Sequence, residues 1–91
     1  MWYIISYHKL YVNIVKLSCM YKDNDLLKQL GLNIKAERVR KGYTQEFFAE
    51  KLGVSREYIS RVERGTENLS ILKILNIANS LDSHINNILR F

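Results

Sequence analysis

Cysteine is almost absent from this sequence, because Cys19 is the only one in 91 residues. A disulfide within the chain is therefore excluded, and so is a cysteine-rich zinc site. Cys19 lies in an apolar stretch, which favours packing over nucleophilic chemistry, and a lone thiol fits the reducing cytoplasm. Histidine is also scarce, since His8 and His84 stand apart from any cluster of metal ligands. We expect neither a metal ion nor another cofactor.

Proline is missing altogether, and glycine occurs only four times. Polar caps and a few glycines must therefore mark the ends of the secondary-structure elements. The sequence contains no glycine-rich phosphate loop and no signature of a catalytic nucleophile with its base. We predict that the protein is not an enzyme.

Acidic residues are outnumbered, with nine Asp and Glu against fourteen Lys and Arg, so that the net charge is +5. This balance favours an anionic partner: nucleic acid first, then an acidic membrane surface or protein. A solvated basic surface is the alternative. Long uncharged apolar runs are also absent, since Lys9 and Lys16 interrupt the most apolar stretch. We therefore expect no membrane span.

The beginning of the chain differs in composition from the rest. Aromatic and β-branched residues are concentrated there, which favours strands near residues 3–7 and 10–17. An isolated hairpin is marginally stable, so it would have to pack on the domain or pair with a second copy. The alternative is that Met20 is the natural start. We divide the chain into an N-terminal extension, residues 1–24, and one small domain, residues 25–91.

From Asp25 onward the apolar spacing is helical, and the domain is predicted to be all-α with five helices. Gly31 should weaken the first helix mildly. Its predicted apolar positions are Leu26, Leu30, Ile34 and Val39. The helices are expected to begin at the caps Asp25, Thr44, Ser55, Ser70 and Asp82 or Ser83, and to run to about Arg40, Leu52, Arg64, Leu81 and Arg90.

The second and third predicted helices, Gln45 to Leu52 and Arg56 to Arg64, are joined by a tight turn at Gly53. Two short helices joined in this way cross steeply, which requires a small residue such as Ala49 where they touch. Ile59 and Val62 should point inward with Phe48 and Leu52. The opposite face of the third helix carries Arg56, Glu57, Ser60 and Arg61.

The run TQEFFAEKLGVSREYISRVERG resembles the helix-turn-helix of the Cro and lambda-repressor type, the XRE family. The matching positions are Gln45, Ala49, Gly53, Ile59, Val62, Glu63 and Gly65. The stretch REYISRVERGTENLSI is also similar to the controller proteins of restriction–modification systems, with Arg56, Tyr58, Ser60 and Asn68 as they stand in many of them. Glu67 departs from that pattern, because several controllers have a basic residue there.

The resemblance implies a five-helix, lambda-repressor-like DNA-binding domain that regulates transcription as a homodimer on a pseudo-palindromic duplex. The alternative is an antitoxin-like helix-turn-helix module that neutralises a partner protein. The third helix is expected to lie in the major groove. Arg56 and Arg61 are candidates for bidentate contact with guanine, and Glu57 for a cytosine amine. Tyr58 and Ser60 are expected at a thymine methyl or the backbone, with packing against the second helix as the alternative for Tyr58.

Phosphate contacts are predicted for Thr44, Gln45, Arg64 and Asn68, and a surrounding basic field for Lys35, Arg40, Lys41 and Lys51. The resemblance also implies an ion pair between Arg38 and Glu63 that orients the third helix. The predicted dimer interface is apolar and close to the C-terminus. It consists of Ile85, Ile88, Leu89 and Phe91, with Leu75 behind them.

Overall fold

The computed structural model describes residues 23–91, with side chains from residue 25 onward. This part of the chain forms five helices and contains no strand: α1 (Asp23–Arg40), α2 (Gln45–Leu52), α3 (Arg56–Arg64), α4 (Ile71–Ser80) and α5 (Ile85–Ile88). The predicted all-α class and the order of the helices are confirmed. The strands predicted near residues 3–7 and 10–17 lie outside the described residues. Within the described part, no helix combines the length and the apolar content needed to cross a membrane.

Side-chain caps fix where three of the helices begin. Thr44, Ser55 and Ser70 each accept a hydrogen bond from the backbone N–H three residues later, at 3.0, 3.1 and 3.2 Å. These bonds satisfy N–H groups that have no partner inside the helix. The last helix has no such side-chain bond at His84 and is shorter than predicted, ending at Ile88.

The register of α1 differs from the prediction at one position. Leu30, Ile34 and Arg38 are buried and follow one another at intervals of four residues, so they share one face. Val39 was predicted to point inward, but 57% of it is exposed. The reason is that the residue after Arg38 lies about 100° further round the helix. A charged side chain, not an apolar one, thus occupies the last inward position of α1.

The core forms where five pairs of helices meet: α1 with α3 and α5, α2 with α3 and α4, and α4 with α5. Every helix except the short α5 contributes at least two buried apolar side chains. With Leu81, which follows α4, and Ile88 of α5, the buried apolar core consists of Leu30, Ile34, Phe48, Ala49, Ile59, Val62, Ile74, Ile77, Ala78, Leu81 and Ile88.

The backbones of α1 and α3 approach each other closely at two glycines. A Cβ on Gly31 would lie 2.5 Å from the carbonyl oxygens of Val62 and Glu63, and a Cβ on Gly65 would lie 2.6 Å from the backbone of Lys28. Gly31 therefore does more than weaken α1 mildly, because it allows the helices to touch. The C-terminal end of α3 is held directly against α1.

Candidate nucleic-acid interface

The turn between α2 and α3 is formed by Gly53, as the sequence predicted. Gly53 adopts φ 77°, and the next N–H, that of Val54, donates to the carbonyl of Ala49 over 2.9 Å. Ala49 is buried at the junction, as predicted, and Ile59 and Val62 anchor the inner face of α3. This packing leaves the opposite face of α3 accessible.

The accessible face of α3 carries most of the predicted base-contact residues. Arg56 and Glu57 are exposed, whereas Ser60 and Arg61 are partly buried. A spacing of four residues places Arg56 with Ser60, and Glu57 with Arg61, on neighbouring turns of that face. The side chain of Arg56 makes no hydrogen bond within the described part of the chain, so its guanidinium is available to a ligand.

Tyr58 has a different position from the other four. It is half-buried and packs against the core, beside a groove that Leu52, Val54 and Ile77 also line. Its ring lies 6.0 Å from the guanidinium carbon of Arg61 and 6.0 Å from the ammonium nitrogen of Lys73. The ring thus packs on the core and lies close to two cations. This position agrees with packing, the alternative to a base contact for Tyr58.

A buried ion pair connects α3 to α1. Arg38 Nε donates to Glu63 Oε2 over 2.6 Å, and Arg38 Nη2 donates to Glu63 Oε1 over 3.2 Å. Arg38 Nη1 donates to the Tyr43 carbonyl over 2.7 Å, and Gln45 Nε2 donates to Glu63 Oε1 over 3.1 Å. The exposed fractions of the two charged side chains are only 9% and 3%. One polar cluster therefore joins α1, the following loop, α2 and α3.

The predicted phosphate contacts fall into two groups. Thr44 and Gln45 lie at the N-terminus of α2. Thr44 is exposed, and the side-chain amide of Gln45 donates a hydrogen bond to Glu63. Arg64 and Asn68 are exposed at and after the C-terminal end of α3, with Arg64 Nε 3.3 Å from the Ser60 carbonyl. The two groups are thus at the start of α2 and at the end of α3.

The predicted basic field is partly neutralised by neighbouring groups. Lys51 Nζ lies 3.4 Å from Asp82 Oδ2 and donates to the Tyr43 hydroxyl over 3.1 Å, a bond that raises the pKa of Lys51. Lys41 Nζ lies 3.5 Å from the Asp82 carbonyl oxygen. These contacts hold the two lysines near the turn before α5.

A third cation of this field, Arg40, is also paired. It donates to Glu37 over 2.6 Å, and this bond, with a hydrogen bond from Ser83, holds the pKa of the Glu37 carboxyl below 4.5 despite partial burial. Lys35 is exposed and makes no hydrogen bond within residues 25–91.

The predicted dimer interface needs one correction. Ile88 has no exposed surface, because it fills the core of the protomer itself, so it is not available to a partner. Ile85, Leu89 and Phe91 are half-buried and pack around that core. By contrast, three apolar residues on α4 are well exposed: Ile71, Leu72 and Leu75.

Sequence reasoning did not single out Ile71 and Leu72 for an interface. The signal for Leu72 was present in the period of α4, because the inward positions Ile74, Ile77 and Ala78 leave residues 72 and 75 on other faces. Ile71 shares the inward face but is exposed as the first residue of the helix. Sequence reasoning also missed the ion pair between Arg61 Nε and Glu67 Oε2, which are 3.0 Å apart across the end of α3. Among the described residues, no group of three or more His, Cys, Asp or Glu is arranged to hold a metal ion.

A model of the helix-turn-helix family (HTH_3) matches residues 34–87, which is more than half of the chain. This chain belongs to the helix-turn-helix family. The matched region begins inside α1 and includes α2, α3 and α4, so it contains both helices of the motif and the helices that support them. The XRE type predicted from the run at 44–65 is confirmed.

Helix-turn-helix relatives with similar sequences occur in different bacteria. An uncharacterized HTH-type transcriptional regulator, y4dJ, of Sinorhizobium fredii is 36% identical over 62 residues, covering 67% of this chain and 80% of the relative. A hypothetical transcription factor of Neisseria meningitidis is 37% identical over 59 residues, covering 65% of this chain and 56% of the relative. This chain therefore spans little more than half of the Neisseria protein.

The fold is also similar to that of a restriction–modification controller protein, C.AhdI from Aeromonas hydrophila. The TM-score is 0.64 at 35% sequence identity, and the match covers 68% of this chain and 94% of the controller protein. The chain thus belongs to the helix-turn-helix family and has a fold similar to that of this controller protein.

Proposed function

We propose that this protein binds specific sequences of duplex DNA as a homodimer and regulates transcription, with α3 in the major groove. The observation that carries this proposal is the packing that holds α3 in place. Its inner face is buried, its end touches α1 at Gly65, and Glu63 is held by Arg38, while Arg56 and Glu57 remain exposed. A polar helix face that is rigid before binding suits the reading of base edges.

The residues around α3 support the same orientation. Thr44 and Gln45 offer side-chain and backbone donors at a helix N-terminus, which favours an anion such as a phosphate. Arg64 and Asn68 can reach the phosphates on the other side of α3. Such contacts fix the position of a protein on the duplex, whereas base contacts select the sequence. The net charge of +5 adds a general attraction to DNA.

A homodimer is supported by an apolar surface that lies away from α3. Ile71, Leu72 and Leu75 form a stripe on α4, because residues three and four apart are neighbours. Lys73, which lies beside the Tyr58 ring of α3, is about half a turn away from Ile71 and Leu75. A second copy packed on this stripe, and on the adjacent α5, would leave α3 free. Two such helices would lie about 34 Å apart, one turn of a pseudo-palindromic duplex.

The narrower proposal is that the protein is a controller protein of the restriction–modification type, as the similarity to C.AhdI suggests. A protein with this function would work in the cytoplasm, where it meets chromosomal DNA. Glu67 stands where several controllers are basic, so we expect a base preference of its own.

Binding can be tested by selecting duplexes from a random pool and measuring their affinity by fluorescence anisotropy at two salt concentrations. Arg56→Ala should cost about 1–3 kcal/mol on the selected site and relax the preference at particular base pairs. Lys41→Ala should weaken all sequences alike. Arg90→Ala, which removes the same charge at the C-terminal end, is the control and should have little effect. Negligible affinity for every duplex at low salt would contradict the proposal.

The dimer can be tested separately by analytical ultracentrifugation. Leu72→Asp places a charge on the α4 stripe, where the side chain is 70% exposed, so the fold should survive. We expect this variant to dissociate at concentrations at which the unchanged protein is dimeric. Leu32→Asp is the matched control, because Leu32 is also exposed but lies on α1. Equal association of both variants would exclude the stripe as the interface.

A further inference from the structure

Arg61 and Glu67 form an ion pair at the edge of the face of α3 that is proposed to contact bases. Arg61 Nε donates to Glu67 Oε2 over 3.0 Å, and the exposed fractions of the two side chains are 43% and 28%. Neither terminal nitrogen of Arg61 makes a hydrogen bond within the described part of the chain. The pair therefore occupies the inner end of the guanidinium and leaves its outer end accessible.

The end of α3 brings the two residues together. Gly65 adopts φ 76°, and the N–H groups of Gly65 and Thr66 donate to the carbonyls of Val62 and Arg61 at 3.1 and 3.0 Å. The Thr66 hydroxyl also donates to the Arg61 carbonyl over 3.2 Å. This reversal returns Glu67 to the side of the last turns of α3. Because Gly65 is pressed against the backbone of α1, the position of the reversal is fixed.

The Tyr58 ring holds Arg61 from a second side. Tyr58 precedes Arg61 by three residues, so both lie on neighbouring turns of α3. The guanidinium carbon of Arg61 is 6.0 Å from the ring centroid, within the range of cation–π attraction. Since Tyr58 itself packs against the core, this support is as rigid as the helix.

We propose that Glu67 is a positioning residue that sets the base specificity of α3, by holding Arg61 through Nε so that Nη1 and Nη2 together address one guanine. This inference rests on the proposed function. The guanidinium is planar, with its five N–H donors in a fixed arrangement. A partner at Nε therefore fixes the direction of the plane. The outer edge then presents two parallel donors, the arrangement that fits guanine O6 and N7.

Glu67 has a second effect, which also increases specificity. Glu67 directly precedes Asn68, a proposed phosphate contact, so we expect its negative charge to lower the affinity for every sequence. Only a sequence with guanine at the right position recovers this loss through Arg61. Arg56 has no such support, because its side chain makes no hydrogen bond in the described residues, and it must be ordered when DNA binds.

The experiment measures discrimination at a single base. The base pair that depends on Arg61 is first identified as the one at which Arg61→Ala loses its preference. The affinity of the full chain is then compared for the selected duplex and for the same duplex with 7-deazaguanine at that position, which lacks the N7 acceptor. A random duplex reports the affinity that does not depend on sequence, and a thermal melt of each variant confirms that it is folded.

We expect Glu67→Ala to lose about two- to fivefold in discrimination, the range of an exposed ion pair. Its affinity for the random duplex should rise by about twofold, because a charge is removed. Glu67→Gln should show the same rise but keep the discrimination, since its amide oxygen can still accept from Arg61 Nε. Glu50→Ala is the matched control: it removes an equal charge from an exposed position on α2, which has no contact with Arg61, and the discrimination at this base should stay unchanged. With Arg61→Ala already present, Glu67→Ala should have no further effect on discrimination.

Three results would overturn the inference. If Glu67→Ala binds the selected duplex and its 7-deazaguanine counterpart more tightly by the same factor, Glu67 only repels phosphates. An increase in its discrimination would show that Glu67 competes with guanine for Arg61. If the preference for no base pair depends on Arg61, the proposed contact between Arg61 and guanine does not exist. A lack of sequence preference in the unchanged protein is a different result, because it would contradict the proposed function instead.

Discussion

The buried pair of Arg38 and Glu63 allows a sharp test of how α3 is held. We consider Arg38→Met and Glu63→Leu, singly and together. Each replacement is an apolar side chain of similar size and removes one charge. The exposed fractions of the original side chains are 9% for Arg38 and 3% for Glu63. Glu63→Leu leaves the guanidinium with only the Tyr43 carbonyl, and Arg38→Met leaves the carboxylate with only Gln45.

The expected costs follow from these remaining partners. An uncompensated buried charge costs about 3–5 kcal/mol, so each single variant should lose that much free energy of unfolding. Domains of this size are stable by roughly 5–10 kcal/mol, so either single variant is close to unfolding. The double variant buries no charge and should recover much of the loss, leaving about 1–3 kcal/mol for the Tyr43 carbonyl and the Gln45 amide. Affinity for DNA should follow the same order, because α3 loses its anchor but keeps every contact residue.

The assay is urea unfolding followed by circular dichroism, analysed as a double-mutant cycle. Arg40→Met is the matched control, because Arg40 is on the same helix and its ion pair with Glu37 has the same length of 2.6 Å, but Arg40 is 61% exposed. The control should cost less than about 1 kcal/mol. The reasoning is refuted if Arg38→Met and Arg40→Met lower the free energy of unfolding by the same small amount. It is also refuted if the double variant is no more stable than the less stable of the two single variants.

Two further predictions concern stability. Gly53→Ala and Gly65→Ala both place a Cβ at φ near 77°, which costs about 1–2 kcal/mol. Gly65→Ala should cost clearly more in urea unfolding, because its Cβ would lie 2.6 Å from the Lys28 backbone while the Cβ at Gly53 meets nothing, and equal costs would contradict this. The pKa of Glu37 is lowered by the hydrogen bond from Arg40, so Glu37 stabilises the fold above its usual pKa of 4.5, and this contribution is lost as the pH falls through the lower folded value. A carboxyl titration by NMR should show the pKa rising toward 4.5 in Arg40→Met, and an unchanged pKa would remove the assigned cause.

The fold was largely accessible to sequence reasoning because its signals are local. Thr44, Ser55 and Ser70 mark helix starts through a bond to an N–H three residues away, and glycine at 42, 53 and 65 marks the ends through its positive φ. Neither signal depends on the rest of the chain. The helix-turn-helix followed from the same spacing.

Errors arose where a distant part of the chain decided the outcome. Val39 is exposed because Arg38, not an apolar residue, meets Glu63 on α3, and no periodicity of α1 contains that partner. Ile88 is buried because α5 folds back on α1, where Asn33 Nδ2 donates to the Ile88 carbonyl over 2.8 Å. A short apolar helix has the same sequence pattern whether its own domain or a second copy covers it.

The sequence by itself determined the helices, their order and the polar face of α3, since these depend on capping, glycine geometry and spacing within a few residues. Tertiary structure alone decided what supports that face. The close contacts at Gly31 and at Gly65 join the backbones of α1 and α3 across more than 30 residues of sequence, and no local pattern encodes them. The pairing of Arg61 with Glu67 depends on the direction in which the chain leaves α3. Hydrogen bonds and close packing act over a few ångströms in space, so their partners become known only when the helices are in place.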